Sequence, residues 1–227
     1  MILKGLQAGG GMALNNPPPP QGSVLFDGTT GSYLITSAQS SSTYFGTGDF
    51  TIEAWVRVTS TPEQNASISS VNADWQLSWF TDGFVFMPDT TSTRKVNTSG
   101  AGAISTNTWY HIAFTRESSS LKSFLNGTLA NTGTDSANYN SISGIRVGAN
   151  RSNNVGFPGY ISNLRIIKGT ALYTATFTAP TKPLTAVLNT QLLLNTVYDP
   201  NFLKDNSVNN FEITNNGNVT RSPLNPF

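Results

Sequence analysis

The residues that could do chemistry are few and scattered along the chain. Glutamate occurs only at Glu53, Glu63, Glu117 and Glu212, and none of them lies close to another in sequence. Cleaving a glycosidic bond takes two carboxyl groups flanking it, one as the acid and one as nucleophile or base. His111 is the single histidine. A general base needs a nucleophile to activate, and no serine motif surrounds it. Cysteine is absent, which removes thiol catalysis, Cys-ligated zinc and disulfides together. A non-enzymatic protein is therefore expected, with His111 packed between strands and satisfied by a neighbour. Sugar binding asks for something different, an aromatic platform flanked by amides or carboxylates. Trp75 and Trp79 stand at i and i+4 on one face of a strand, near Phe84, Phe86, Asn72 and Asp82, and are the candidate glycan-binding residues. The competing reading is that these aromatics fill a core.

The elements that would position these groups read as strands. Trp109 to Arg116 and Leu121 to Thr128 form two adjacent strands, and Asn126-Gly127 supplies the turn that sends a third one back. Tyr110, Ile112 and Phe114 fall on one face, with Trp109, His111 and Ala113 on the other. A strand apolar on both sides belongs inside a packed two-layer structure. Phe50 to Val58 is the cleanest alternation: Phe50, Ile52, Ala54, Val56 and Val58 should line the core, leaving Glu53 outside, solvated or hydrogen-bonded. Further strands are expected at 23–26, 33–35, 66–71, 75–80, 84–87, 145–147, 159–167, 191–195 and 210–214, and a single helical turn at 171–173. Residues 89–108 read as a long connection with at most one edge strand. Pro180 and Pro183 cannot donate to a ladder, so 177–184 should cross the outside of the sandwich in extended form.

The 227 residues suit one large all-β domain. Net charge is +1 and only 11% of residues are charged, so neither a basic footprint for nucleic acid nor an acidic tail is present. No run approaches the ~20 apolar residues of a membrane helix. Residues 1–22 differ from everything after them. Gly9-Gly10-Gly11, Asn15-Asn16 and Pro17-Pro18-Pro19-Pro20 cannot form a core, and the prolines favour an extended spacer. The plain alternative is a disordered terminus. As an arm that grips a partner, its candidate contacts are Leu3, Leu6, Met12, Leu14, Pro17, Pro18, Pro19 and Pro20. Residues 23–227 are expected to be one β-sandwich domain.

Four stretches taken together, 48–56, 108–116, 124–127 and 159–166, resemble laminin-G-like domains of the concanavalin A-like lectin/glucanase fold. The resemblance implies an antiparallel two-sheet jelly-roll sandwich. Glucanases of that fold carry a Glu-x-Asp-x-x-Glu run, which this chain lacks. Laminin-G-like domains often hold calcium at the rim, and Asp27, Asp49, Asp74, Asp82 and Asp89 fall at expected strand ends. Turns favour Asp for their own reasons, so calcium is left open and no ligand is assigned. The continuation at 168–174, 177–184, 205–210 and 222–227 is similar to laminin-G-like proteins of tailed bacteriophages. That narrower resemblance implies a virion structural protein, made in the host cytoplasm and displayed on the virion surface. In that role it would decorate the capsid through its arm, with a capsid or other virion protein as partner and a homo-oligomer in view. The alternative it leaves is an adhesin or receptor-binding tail component recognising host surface glycans.

Overall fold

The computed structural model describes residues 22–88, 93–195 and 202–227. The arm contacts Leu3 to Pro20, and Asp89, lie outside the described residues. Two antiparallel sheets face each other, as the alternation predicts. The first carries β1 (Ser23–Asp27), β3 (Phe50–Val58), β8 (Tyr110–Glu117), β9 (Ser120–Leu125), β10 (Thr128–Thr134), β12 (Pro158–Lys168), β13 (Thr190–Leu194) and β15 (Thr220–Ser222). Its order is β10-β9-β8-β3-β12-β1-β15, with β13 also on β12. The second holds β2 (Tyr33–Thr36), β4 (Ser67–Val71), β5 (Trp75–Phe80), β6 (Gly83–Pro88), β7 (Val96–Asn97), β11 (Ile145–Val147) and β14 (Ile213–Asn216). Its order is β14-β2-β11-β4-β5-β6-β7. The C-terminal strands return to the N-terminal ones: β15 pairs β1, and β14 pairs β2.

Phe50, Ile52, Ala54, Val56 and Val58 all enter the core. There they meet Trp75, Leu77, Phe84 and Phe86 from the facing sheet, burial that is the main stabilising term for such a sandwich. Beneath one end of the core lies Arg116, fully buried. It donates to the carbonyls of Gly46, Gly48 and Ala137 and to Oδ2 of Asp135 at 3.0 Å, with Phe50 and Tyr139 rings over its guanidinium.

The outer face of the first sheet explains why β8 is apolar on both sides. After β12 the chain runs as a strap over β3, β8 and β9. The Thr51 hydroxyl donates to the Thr170 carbonyl at 2.8 Å and accepts the Leu172 amide at 2.9 Å. The Thr115 hydroxyl donates to the Tyr173 carbonyl, and Phe177 donates its amide to the Gly127 carbonyl. These side-chain bonds hold Ala171-Leu172-Tyr173 in an irregular path, so the helical turn expected there does not form. Residues 177–184 form no ladder strand and cross the outside of the first sheet from the Gly127 turn to β12. The far end of this crossing is tied back to β12 by the Leu184 amide on Oδ1 of Asn163 and by Arg165 on the Thr185 carbonyl.

A candidate saccharide cleft at the rim

The β5–β6 hairpin turns through Thr81 and Asp82, with Phe80 opposite Gly83. Gly83 sits at φ +95°, and a Cβ there would lie 2.5 Å from the Thr98 hydroxyl, so the hairpin tip can press against the segment that follows β7. A 3-10 turn at Ser99–Ala101 continues that segment. Between the two lies a cleft of about 450 Å³ lined by Trp79, Thr81, Asp82, Ser99, Ile104 and Thr61, among others. Its size lies within the range usual for small-molecule sites.

The polar groups at the cleft are held by one another. Asp82 accepts from Arg94 Nη1 through Oδ1 and from Asn97 Nδ2 through Oδ2, each at 2.9 Å. Asn97 Oδ1 in turn accepts from the Ser99 amide at 3.2 Å and its hydroxyl at 2.8 Å. The Arg94 guanidinium lies 3.9 Å from the centre of the Phe80 ring. The side chains of Arg94 and Asp82 remain 43% and 35% exposed. The result is a carboxylate and a hydroxyl, Asp82 and Ser99, that line the cleft with the Trp79 indole and are held in orientation by Arg94 and Asn97 behind them. Saccharides are bound by that combination: planar polar groups for the hydroxyls and an apolar surface for the ring face.

The two tryptophans singled out by sequence part company here. Trp75 is turned into the core, its ring 5.6 Å from Phe45 and 6.1 Å from Phe86, so it cannot offer an open platform. Trp79 is also largely buried, 8% exposed and edge-on to Phe84, but it forms a wall of the cleft. Sequence reasoning passed over Arg94, Asn97 and Ser99, which lie in the stretch read as a Thr/Ser-rich connection. The signal was available in Asn97-Thr-Ser99, an Asx-type turn sequence next to a hairpin tip.

Glu53 and His111 meet on the outer face of the first sheet, where Nε2 of His111 lies 3.1 Å from Oε2 of Glu53. A register shift in β12 between Ser162 and Arg165, with Asn163 at φ +54°, sets Arg165 opposite Glu53. Arg165 grips Oε1 through Nε at 2.8 Å and Nη2 at 2.5 Å, and the Tyr173 hydroxyl donates to Oε2 at 2.9 Å. Burial alone would raise the Glu53 carboxyl. The His111 hydrogen bond and the Arg165 charge outweigh it and hold the group below the ordinary carboxylate value. The Tyr173 hydroxyl is pushed up by burial and by the Glu53 charge. The expectation of a solvated Glu53 is thus corrected in part: it is hydrogen-bonded, but wholly buried under the strap. Both Glu53 and His111 side chains have no exposure to solvent, so a substrate would have to lift the strap to touch them.

The rim aspartates are spent on local structure. Asp27 accepts from the Thr29 amide and hydroxyl, Asp49 from the Ser118 amide, and Asp74 from the amides of Asn140 and Ser141. Among the described residues no group of three or more His, Asp or Glu side chains is placed to hold a metal ion.

A family model described as the concanavalin A-like lectin/glucanases superfamily, of the laminin G type, matches residues 27–174. Among curated proteins nothing matches. Among solved structures, the chain resembles a candidate carbohydrate-binding protein from Bacteroides ovatus at 17% identity and a TM-score of 0.66, covering 92% of this chain and 61% of that one. It resembles domain 4 of an extracellular arabinanase from Geobacillus stearothermophilus, solved in complex with arabinotriose, at 16% identity and a TM-score of 0.51, over 63% and 70% of the two chains. A heptameric pentraxin from Limulus polyphemus aligns at 10% identity and a TM-score of 0.57, over 89% and 95%. At such identities the likeness is one of fold.

Proposed function

We propose that this chain, which belongs to the concanavalin A-like lectin/glucanases superfamily, is a carbohydrate-binding module without catalytic chemistry that takes a saccharide in the rim cleft. The observation that carries the reading is Asp82 and Ser99, held by Arg94 and Asn97, lining a loop-built cleft with Trp79. Loops on a rigid scaffold are where binding residues concentrate. The carbohydrate-binding and arabinotriose-bound structures of the same fold support the choice of ligand class. The non-enzymatic part is supported by the sealing of Glu53 and His111, and by the exposed, scattered positions of Glu63, Glu117 and Glu212. Arabinotriose and a panel of neutral oligosaccharides are the first probes. Binding that disappears in Asp82→Ala, with folding intact, supports the reading; the absence of binding to every saccharide tested would remove it.

We further propose that the module is displayed on a tailed-bacteriophage virion as a capsid decoration protein held by its arm. The support is the likeness of 168–184 and 205–227 to laminin-G-like phage proteins. In this fold those stretches are the strap and the loops and strands that close both sheets. A receptor-binding tail component would use the same cleft on host glycans, and the heptameric pentraxin supports testing for a homo-oligomer. Replacing Pro17, Pro18, Pro19 and Pro20 with Ser, together with Leu3→Ser and Leu6→Ser, should leave the fold intact and prevent incorporation into particles. Normal incorporation would exclude the arm as the anchor.

A further inference from the structure

The outer face of the eight-stranded sheet is covered unevenly. The strap lies over β8, β9 and part of β3, and the Phe227 ring meets Trp55 edge-on at 5.8 Å. Beyond Trp55 the register sets Leu25, Tyr160 and Arg57 in one row across β1, β12 and β3. Trp109, at the entry to β8, reaches the same row, with its ring 6.3 Å from that of Tyr160. All four residues are half-buried. The Arg57 guanidinium lies 5.4 Å from the centre of the Tyr160 ring, a cation–π contact. Among the described residues it makes no hydrogen bond and no ion pair, whereas Arg94, Arg116 and Arg165 each hold a carboxylate. The carboxylate two positions along β1 from Leu25, that of Asp27, is occupied by Thr29 and Asn218.

A guanidinium is charged at every accessible pH and is built to grip a carboxylate with two parallel bonds. Arg57 is laid against one aromatic ring and neighboured by another, partly stripped of water, and lacks that anion. We propose that the Trp109–Arg57–Tyr160 row is a second binding surface, for carboxylate-bearing saccharides such as the uronic acids of an acidic polysaccharide. In a uronate the carboxylate projects from the sugar ring itself, so a ring lying on Trp109 or Tyr160 brings its carboxylate to Arg57. An acidic peptide carries its carboxylate on a flexible stem with no ring to stack. This surface is separate from the rim cleft and does not rest on the reading given to it.

The test titrates the full chain with tetragalacturonate and with neutral galactotetraose of equal length, read by calorimetry and by the Trp109 indole resonance. Tetragalacturonate should bind, and its affinity should fall as salt rises from about 50 to about 500 mM. Arg57→Gln should weaken it by about tenfold or more, because one charge-assisted pair is lost. Trp109→Ala should weaken it comparably and Arg57→Lys by less. An equal response of the Trp109 resonance to the neutral tetrasaccharide, or unchanged tetragalacturonate affinity in Arg57→Gln with a wild-type melting curve, would overturn the proposal. So would a failure of both tetragalacturonate and oligoalginate to bind, or equal binding of oligoglutamate at the same resonances. Should Arg57→Gln fold poorly, Trp109→Phe decides the matter by calorimetry, since it preserves packing and reduces the stacking surface: weakened tetragalacturonate binding supports the proposal and unchanged affinity overturns it.

Discussion

The Tyr173 hydroxyl donates to Oε2 of Glu53 at 2.9 Å, a bond that joins the strap to the buried polar centre of the sheet beneath it. Glu53 is also the acceptor for Arg165 and the neighbour of His111, so it holds three elements at once. Glu53→Ala would leave the Arg165 guanidinium buried without its counter-charge and should cost about 3–5 kcal/mol. Tyr173→Phe removes a single hydrogen bond to a charged group and should cost about 1–3 kcal/mol. Denaturant midpoints of the two variants check the order and the sizes.

The depressed Glu53 carboxyl has a consequence for acid stability. The folded chain binds this proton more weakly than the unfolded chain, whose group titrates near 4.5. The stabilisation is therefore complete above that pH and is lost as pH falls through the folded value. Glu53→Gln should show a flatter fall in stability below pH 4.5 than the wild type, measured by chemical denaturation across pH.

Arg116 is enclosed by three carbonyls, one carboxylate and two rings, which only a planar five-donor group can serve together. Arg116→Lys keeps the charge and loses most of these bonds. It should destabilise the fold by about 3 kcal/mol or more, with Asp135→Asn following in the same direction.

Gly127 is where the strap crosses the β9–β10 turn. It sits at φ +81°, and a Cβ there would lie 2.0 Å from the Phe177 carbonyl oxygen. Gly127→Ala should lower stability by about 1–3 kcal/mol from backbone strain, and more if the strap must lift. Proteolysis within 170–185 should accelerate in the same variant.

Much of the sandwich could be read from alternation alone, because residues such as Phe50, Ile52 and Ala54 obey the period of a strand with one face in the core. The meaning of the second apolar face of β8 could not. It depends on the Tyr173 and Phe177 rings, which arrive from about 60 residues away and stack on one another at 3.6 Å. Local propensity favoured a helical turn at 171–173 and was overruled by Thr51 and Thr115, whose hydroxyls are distant in sequence. The candidate cleft was half legible. Trp79 and Asp82 stood out by type, but Trp75 and Trp79 share a strand face, and that face points into the core. What separates them is position: Trp79 is near the hairpin end, where the core opens on the rim.

Saccharide binding at the rim is tested most directly by residue-resolved amide spectra of the isotope-labelled chain. Titration with arabinotriose and neutral oligosaccharides should move the signals of Thr81, Asp82, Gly83, Ser99 and Gly102 together, and Asp82→Ala should suppress the response. Spectra that stay still for every saccharide, or that move only at residues away from this cleft, would contradict it.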